Sequence, residues 1–379
     1  MNIALLTLPL NGRNYGGMIQ CYALCRVLRC MGHNVVVLDR RKNRASFIRR
    51  ILSRIKQFVY KRVFCVKGKY FDWNYVCRDL DYFISANMSV TKPLYSSLSL
   101  EKEFLHGSFD AVVFGSDQIW RRQYVSSVLD FWGGFIPQDS SVRRVVYAAS
   151  FGTDGWDYTE EETLACRNLS SAFNAISVRE HSGVELCRKY LGLDVEMMLD
   201  PSLLLHKSDY VSLLDSEEKC LPDAALSAYI LDMDSEKEQM LALVGSYLRT
   251  DSILRLSILD YEDEGRRNGT FRYPSVSRWL SVYEKGSFVI TDSYHGCIFS
   301  ILFNKPFVVI ANHQRGLTRF VSLLSMFGLQ YRIVESVGDL QSRLSEVLAP
   351  IDYDAINVLL AEKRNAGIDF LNKSLRYGK

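Results

Sequence analysis

The chain has 379 residues, 48% of them hydrophobic and 23% charged, with a formal net charge of +3. That length exceeds a single small core and suits two domains, and so small a net charge supplies no global field for nucleic acid. Its 9 cysteines form no Cys-x-x-Cys pair, which predicts buried thiols in a reducing compartment and neither a disulfide framework nor a zinc site.

Met1 to Leu10 is apolar but short, lacks a basic leader and runs into a polar turn, so it reads as a first strand, Ile3 to Leu8, and not as a signal peptide. Pro9 to Gly17 reads as a loop, Met18 to Cys30 as a helix with apolar residues at helical spacing, and Val35 to Leu38 as a second strand. Such a strand-loop-helix-strand unit builds parallel sheets with right-handed crossovers. The loop ends in Asn14-Tyr15-Gly16-Gly17 at a helix N-terminus, where free N–H groups favour an anion unless the loop is only a turn. It is neither Gly-x-Gly-x-x-Gly nor a Walker loop, so a dinucleotide is unsupported.

Residues 40–71 contain twelve Lys or Arg and no acidic residue. Phe47, Ile48, Ile51, Leu52, Ile55, Phe58, Val59 and Val63 recur among them at helical spacing, which predicts a basic amphipathic helix. Such a helix either lies on an anionic membrane surface or packs on its domain with a solvated basic face. No nucleic-acid motif accompanies it, and no nucleic acid is expected as a partner. Nowhere do about 18 consecutive apolar residues occur, so no membrane-spanning helix is expected.

Four further apolar runs read as strands: Asp110 to Gly115, Val145 to Ala149, Ile176 to Val178 and Glu196 to Leu199. Each delivers polar residues at its carboxyl end, namely Ser116-Asp117-Gln118, Ser150, Arg179-Glu180 and Asp200. Polar residues gathered on one sheet edge describe a cleft wall. Arg179 offers a planar fork for phosphate or carboxylate, the alternative being a salt bridge to Glu180 or Asp200.

His206 to Asp223 is polar and mixed and reads as a junction, after which the pattern restarts. Leu226 to Leu231 is a strand, Glu236 to Leu248 a helix, Ile253 to Ile258 a strand, Asp260 to Asn268 an exposed charged loop and Ser275 to Tyr283 a helix. Phe288 to Ile290 is a short strand, Thr291 to His295 a polar turn, and Gly296 opens an apolar helix. His295 therefore stands at a strand's carboxyl end, either as a group for chemistry or as one that bonds a turn carbonyl. Strand Phe307 to Ile310 follows, and Asn312, His313, Arg315 and Arg319 bring more donors to the same edge. Ile333-Val334 reads as a last strand and Ile356 to Leu375 as a terminal helix. The expected architecture is α/β and GT-B-like: Rossmann-like domains over 1–205 and 206–350 facing a central cleft, then a C-terminal helix within 351–379.

Six ordered motifs carry a resemblance: Asn14-Tyr15-Gly16-Gly17, Gly115-Ser116-Asp117-Gln118-Ile119-Trp120, Tyr147 to Gly152, Ser177-Val178-Arg179-Glu180, Leu199-Asp200-Pro201-Ser202 and Thr291 to Gly296. In order and spacing the chain resembles the polysaccharide pyruvyl transferase family from its first residue to about Leu329. The resemblance implies an enzyme that moves a pyruvyl group from phosphoenolpyruvate onto two hydroxyls of one sugar, leaving a cyclic ketal and free phosphate. It implies His295 as catalytic acid and base, a role suited to imidazole with its unperturbed pKa of about 6.5. It also implies a donor-binding arginine at Arg179.

The family pattern has Arg-Leu before the histidine, where this chain has Ser293-Tyr294. Arg315 or Arg319 is expected to supply the missing charge beside Ser293 and Tyr294 in the donor site. Asn14, Tyr15, Gly16, Gly17, Ser116, Asp117, Gln118 and Ser150 are expected on the acceptor side or cleft. No metal and no cofactor besides the donor are expected. The implied acceptor is a saccharide on a polyprenyl diphosphate, and residues 40–71 point to a cytoplasmic enzyme peripheral to the inner face of the membrane. The rival readings are a nucleotide-sugar glycosyltransferase of the same architecture and a non-catalytic glycan-binding member.

Overall fold

The structure, a computed structural model, describes residues 1–11, 14–43, 73–256 and 272–376. Among them two sheets, entirely parallel, form the frame. The first comprises β1 (Asn2–Leu6), β2 (Asn34–Val37), β3 (Ser89–Val90), β4 (Ala111–Phe114), β5 (Arg143–Ala149), β6 (Ala175–Val178) and β7 (Glu196–Met197), in the order β3-β2-β1-β4-β5-β6-β7. The second comprises β8 (Ala224–Tyr229), β9 (Ile253–Arg255), β10 (Gly286–Thr291), β11 (Phe307–Ile310) and β12 (Ile333–Val334), in the order β12-β11-β10-β8-β9. Ala111–Phe114 and Phe307–Ile310 are buried at every position. Strands covered by helices on both faces lose the apolar-polar alternation, which is why they read as plain apolar runs.

The helix Tyr15–Cys30 starts three residues before the apolar pattern, because Asn14 caps it by accepting the Gly17 N–H at 3.1 Å. Gly16 and Gly17 thus form its first turn and not a loop. The short strand β3 and the helices Arg78–Asn87, Ser97–Gly107 and Glu160–Ser170 had no counterpart in the sequence reading. Thr159 and Glu162 form a capping box at the last of these, a signal that was legible. The junction carries the short helices Lys207–Val211 and Ser216–Lys219. Within it Tyr210 is wholly buried, donates to the Ser202 carbonyl at 2.9 Å and meets the Phe299 ring edge-on at 4.8 Å.

Contacts from both sheets merge into one core. The Tyr15 hydroxyl donates to the Pro274 carbonyl at 2.6 Å, and its ring stacks on Trp279 at 5.9 Å. The helix Tyr353–Leu375 crosses back to the first sheet, where Arg364 donates to the Leu203 and Leu205 carbonyls and Arg143 donates to that of Ser374. Burying Leu360, Leu371 and Leu375 there contributes about 1.5–3 kcal/mol per side chain.

Most of the basic stretch, residues 44–71, lies outside the described residues, as do Gly12, Arg13 and the loop 260–268. Arg40 is described and departs from the expected basic face: it is buried, with Nε 2.7 Å from Asp130 Oδ2. A cation held by a buried carboxylate is core structure and not a membrane contact. Among the described residues no helix is long and apolar enough to cross a membrane.

Candidate active site

At the end of β10, Thr291 Oγ1 donates to the Tyr229 carbonyl at 2.6 Å and accepts the Ser293 N–H at 3.1 Å. A β-carbon on Gly296 would stand 2.1 Å from that same oxygen, so only glycine fits. Ser293 caps the helix Tyr294–Leu302 by accepting from Gly296. The Asp292 carboxylate accepts from the Leu231 and Asp232 N–H groups, at 2.6 and 3.2 Å, and from Lys237 Nζ at 2.9 Å. These bonds tie the loop after β8 to the end of β10 and fix His295 on the first helical turn.

His295 projects across the cleft onto the helix Tyr15–Cys30. A β-carbon on Gly16 would lie 2.0 Å from its Nδ1, so the imidazole rests on bare backbone. Its Nε2 is 3.7 Å from Asp200 Oδ2 and has no hydrogen-bond partner among the described residues. Burial pulls the imidazole pKa below its ordinary value, an effect opposed by Asp200 and Asp117. The neutral ring is thereby favoured near neutral pH.

Behind His295 lies a charged cluster. Arg179, 0% exposed, bonds Asp200 at 2.6 Å and Asp117 at 3.0 Å, and Glu180 stands 3.8 Å from its Nε. Asp117 holds a left-handed backbone, φ 71°, rare for a residue with a β-carbon, and its other oxygen accepts from the Asn14 amide at 3.3 Å. Ser116 donates to Asp200 at 3.3 Å, while Glu180 accepts the Phe151 and Gly152 N–H groups.

The Tyr294 ring carries two guanidiniums, Arg179 at 4.7 Å and Arg319 at 5.1 Å. Arg319 is 5% exposed, its Nε has no acceptor, and it forms no ion pair with a carboxylate among the described residues. Burial, aided by Arg179, brings its pKa down to about 10. Arg315, in contrast, holds Asp232 with two bonds of 2.5 and 2.7 Å, and those bonds keep the Asp232 carboxyl at about 2.

These groups surround a cavity of about 430 Å³. Asn14, Asp117 and Gln118 line it from the first sheet, and Ser293, Tyr294, His295, Arg315 and Arg319 from the second. Of the other expected residues, Tyr15, Gly16, Gly17, Ser116, Ser150 and Arg179 are buried one layer behind. Arg179 departs furthest from expectation: of its two sequence readings, the structure has the salt bridge to Asp200, and its fork does not face the cavity. Tyr124, Tyr229, Tyr273 and Phe320 join the lining without having been singled out, since nothing local marks a residue that a distant loop brings in. Asp200 stood in a motif but had no role assigned. Among the described residues no three His, Cys, Asp or Glu side chains converge as a metal site.

The model of the polysaccharide pyruvyl transferase family matches residues 14–314. The chain belongs to this family. Its members are transferases, and the match spans every residue of the cavity from Asn14 to the β10 turn. No curated protein matches the chain in sequence.

Solved structures of similar fold include the UDP-GlcNAc 2-epimerase from Neisseria meningitidis bound to UDP-GlcNAc, with a TM-score of 0.53 and 11% identity over 98% of this chain and 100% of that one. AviGT4, a glycosyltransferase involved in Avilamycin A biosynthesis, has a TM-score of 0.51 and 9% identity over 99% of this chain and 97% of its own. MnaA from S. aureus, solved with UDP, has a TM-score of 0.51 and 10% identity over 94% of this chain and 90% of its own. At such identities the likeness is one of fold, and that fold is GT-B. In this family member the positions before the histidine are a capping serine and a tyrosine that carries two arginines.

Proposed function

We propose that the protein transfers the pyruvyl group of phosphoenolpyruvate to two hydroxyls of one saccharide, forming a cyclic ketal and releasing phosphate. The observation that carries this reading is one cavity lined by both His295, whose Nε2 has no hydrogen-bond partner among the described residues, and Arg319, a buried cation that forms no ion pair with a carboxylate among them. Phosphoenolpyruvate brings a carboxylate and a phosphate, so it supplies the counter-charge that Arg319 lacks. Arg315 and the free N–H groups at the start of the helix Tyr294–Leu302 add donors at the same edge.

The chemistry needs two proton movements. A first sugar hydroxyl adds to C2 of the donor as its proton passes to His295, and the imidazolium so formed returns that proton to C3, which becomes the methyl group and leaves the ring neutral for the second stage. The second hydroxyl then bonds C2 and loses its proton, and the C2–O bond to phosphate breaks, the phosphate leaving with a proton. One imidazole near neutrality serves both stages, and such help is worth about 10² to 10⁴ in rate. Arg179 acts from behind by holding Asp200, Asp117 and the Tyr294 ring, and Asn14, Asp117 and Gln118 face the acceptor.

Thermal titration with phosphoenolpyruvate, UDP and CMP tests the reading. Phosphoenolpyruvate at a hundred times its Kd should stabilise by about 2.7 kcal/mol, and the nucleotides should not. Stabilisation by a nucleotide alone would overturn pyruvyl transfer in favour of glycosyl transfer. A folded His295→Ala that released phosphate at the full rate would remove the histidine from its role.

The basic stretch supports a place at an anionic membrane surface, where a lipid-linked acceptor resides. Neutralising Arg49, Arg50, Arg54 and Lys56 should weaken binding to anionic vesicles, and unchanged binding would refute that location.

A further inference from the structure

A second cavity, of about 410 Å³, adjoins the first, with Asn14 and Tyr124 lining both. It is formed where β1, β2 and β3 end: Pro9 follows β1, Arg41 and Lys42 follow β2, and Tyr95 follows β3. The strand order β3-β2-β1-β4 makes it a groove along the carboxyl edge of the first sheet, leading outward from the His295 cavity. Two strand spacings, about 10 Å, separate β1 from β3, room for a hexose and one further group.

The groove has one chemical sense along its length. At its inner end the Tyr124 ring is held by Arg121, whose guanidinium lies 4.7 Å over it and which bonds both the Tyr124 hydroxyl and Gln118 of the first cavity. Tyr95 adds a second aromatic ring. Aromatic faces accept the C–H face of a pyranose, and the Asn14 amide accepts its hydroxyls. At the outer end stand two cations, and among the described residues the lining includes no carboxylate. Arg41 bonds Asp39 through Nε at 2.7 Å, whereas exposed Lys42 meets, among the described residues, the Gln123 carbonyl at 3.4 Å and no carboxylate.

We infer that this groove is the acceptor subsite and that it selects a saccharide with an anionic substituent, a phosphate ester or a carboxylate, lying beyond the ring that presents its hydroxyls to His295. The inference rests on the pyruvyl-transfer reading and names the acceptor class for it. The ring packs on Tyr124 and Tyr95, and the anion sits at Lys42 and Arg41.

Calorimetric titration with matched pairs tests it: the methyl glycosides of glucose, galactose and mannose against their 1-phosphates and against the corresponding methyl uronides. The anionic member of at least one pair should bind about tenfold more tightly, and the phosphate and uronide arms report which substituent the groove takes. Lys42→Glu should abolish the preference and Tyr95→Ala should weaken both members alike, whereas Arg319→Gln should leave the preference intact. No anionic preference in any pair, a preference unchanged in Lys42→Glu, or one lost only in Arg319→Gln would each overturn the proposal. The phosphoenolpyruvate-induced rise in Tm is read on the same samples. A rise kept in Lys42→Glu while the preference fails to appear in the wild type condemns the groove alone. Absence of any rise in the wild type counts against pyruvyl transfer itself.

Discussion

Gly16 and His295, from opposite sides of the cleft, touch so closely that a β-carbon on the first would lie 2.0 Å from Nδ1 of the second. The imidazole is thus levelled against a helix of the other domain. Gly16→Ala should tilt or expel the ring while leaving both sheets intact. The expected result is a fall in phosphate release of about 10²-fold with an unchanged circular dichroism spectrum and a single cooperative melt. Gly17→Ala is the comparison, since its new methyl meets the Asn14 amide at 2.8 Å and not the imidazole.

Asp200 favours the charged form of His295 from 3.7 Å. In Asp200→Asn that support is gone, so the imidazole pKa drops further and the base form persists to lower pH. The acid limb of the kcat/KM profile should move to lower pH. A limb that stayed in place or moved up would show that Asp200 does not act on His295.

His295 also enters the pH dependence of stability. Burial lowers its folded pKa below the unfolded value of about 6.5. Between the two values the unfolded chain binds a proton that the folded chain does not, so stability is full above about pH 6.5 and is lost as pH falls toward the folded pKa. Denaturant melts from pH 7.5 to 5.5 should show this loss, and His295→Gln should flatten it.

Arg179 and Arg319 pack on the same tyrosine ring, yet they should respond oppositely to substitution. Arg179→Met strands the buried Asp117 and Asp200 carboxylates, a loss of about 3–5 kcal/mol of stability. Arg319→Met removes a buried cation that has no carboxylate partner among the described residues, so Tm should hold or rise. Phosphoenolpyruvate affinity should then fall by about 1.5–3 kcal/mol, roughly tenfold to a hundredfold. Urea melts and donor titration on both variants check the contrast.

What was legible in the sequence follows from what is local. Phe307–Ile310 and Ile333–Val334 were found at their bounds, the first because a strand buried on both faces must be apolar throughout. At the end of β10 the order of strand, turn and helix was legible, but the helix opens at Tyr294 and not at Gly296, because Ser293 caps it, so His295 lies on its first turn and not in the loop. At Tyr15 likewise a capping side chain overrode the apolar pattern, as Asp352 did at Tyr353, three residues before the expected start of the terminal helix.

The sequence by itself determined the alternation of strands and helices, the family, and the placing of His295 at a strand's carboxyl end. Only the tertiary structure decided which charges pair. Arg179, Asp117 and Asp200 come from the ends of three different strands, and which arginine faces the cavity depends on distances that no spacing encodes. Electrostatic energies change steeply over a few ångströms in a low-dielectric interior, so those contacts, and not the residue types, spend Arg179 on carboxylates and leave Arg319 open to an anion.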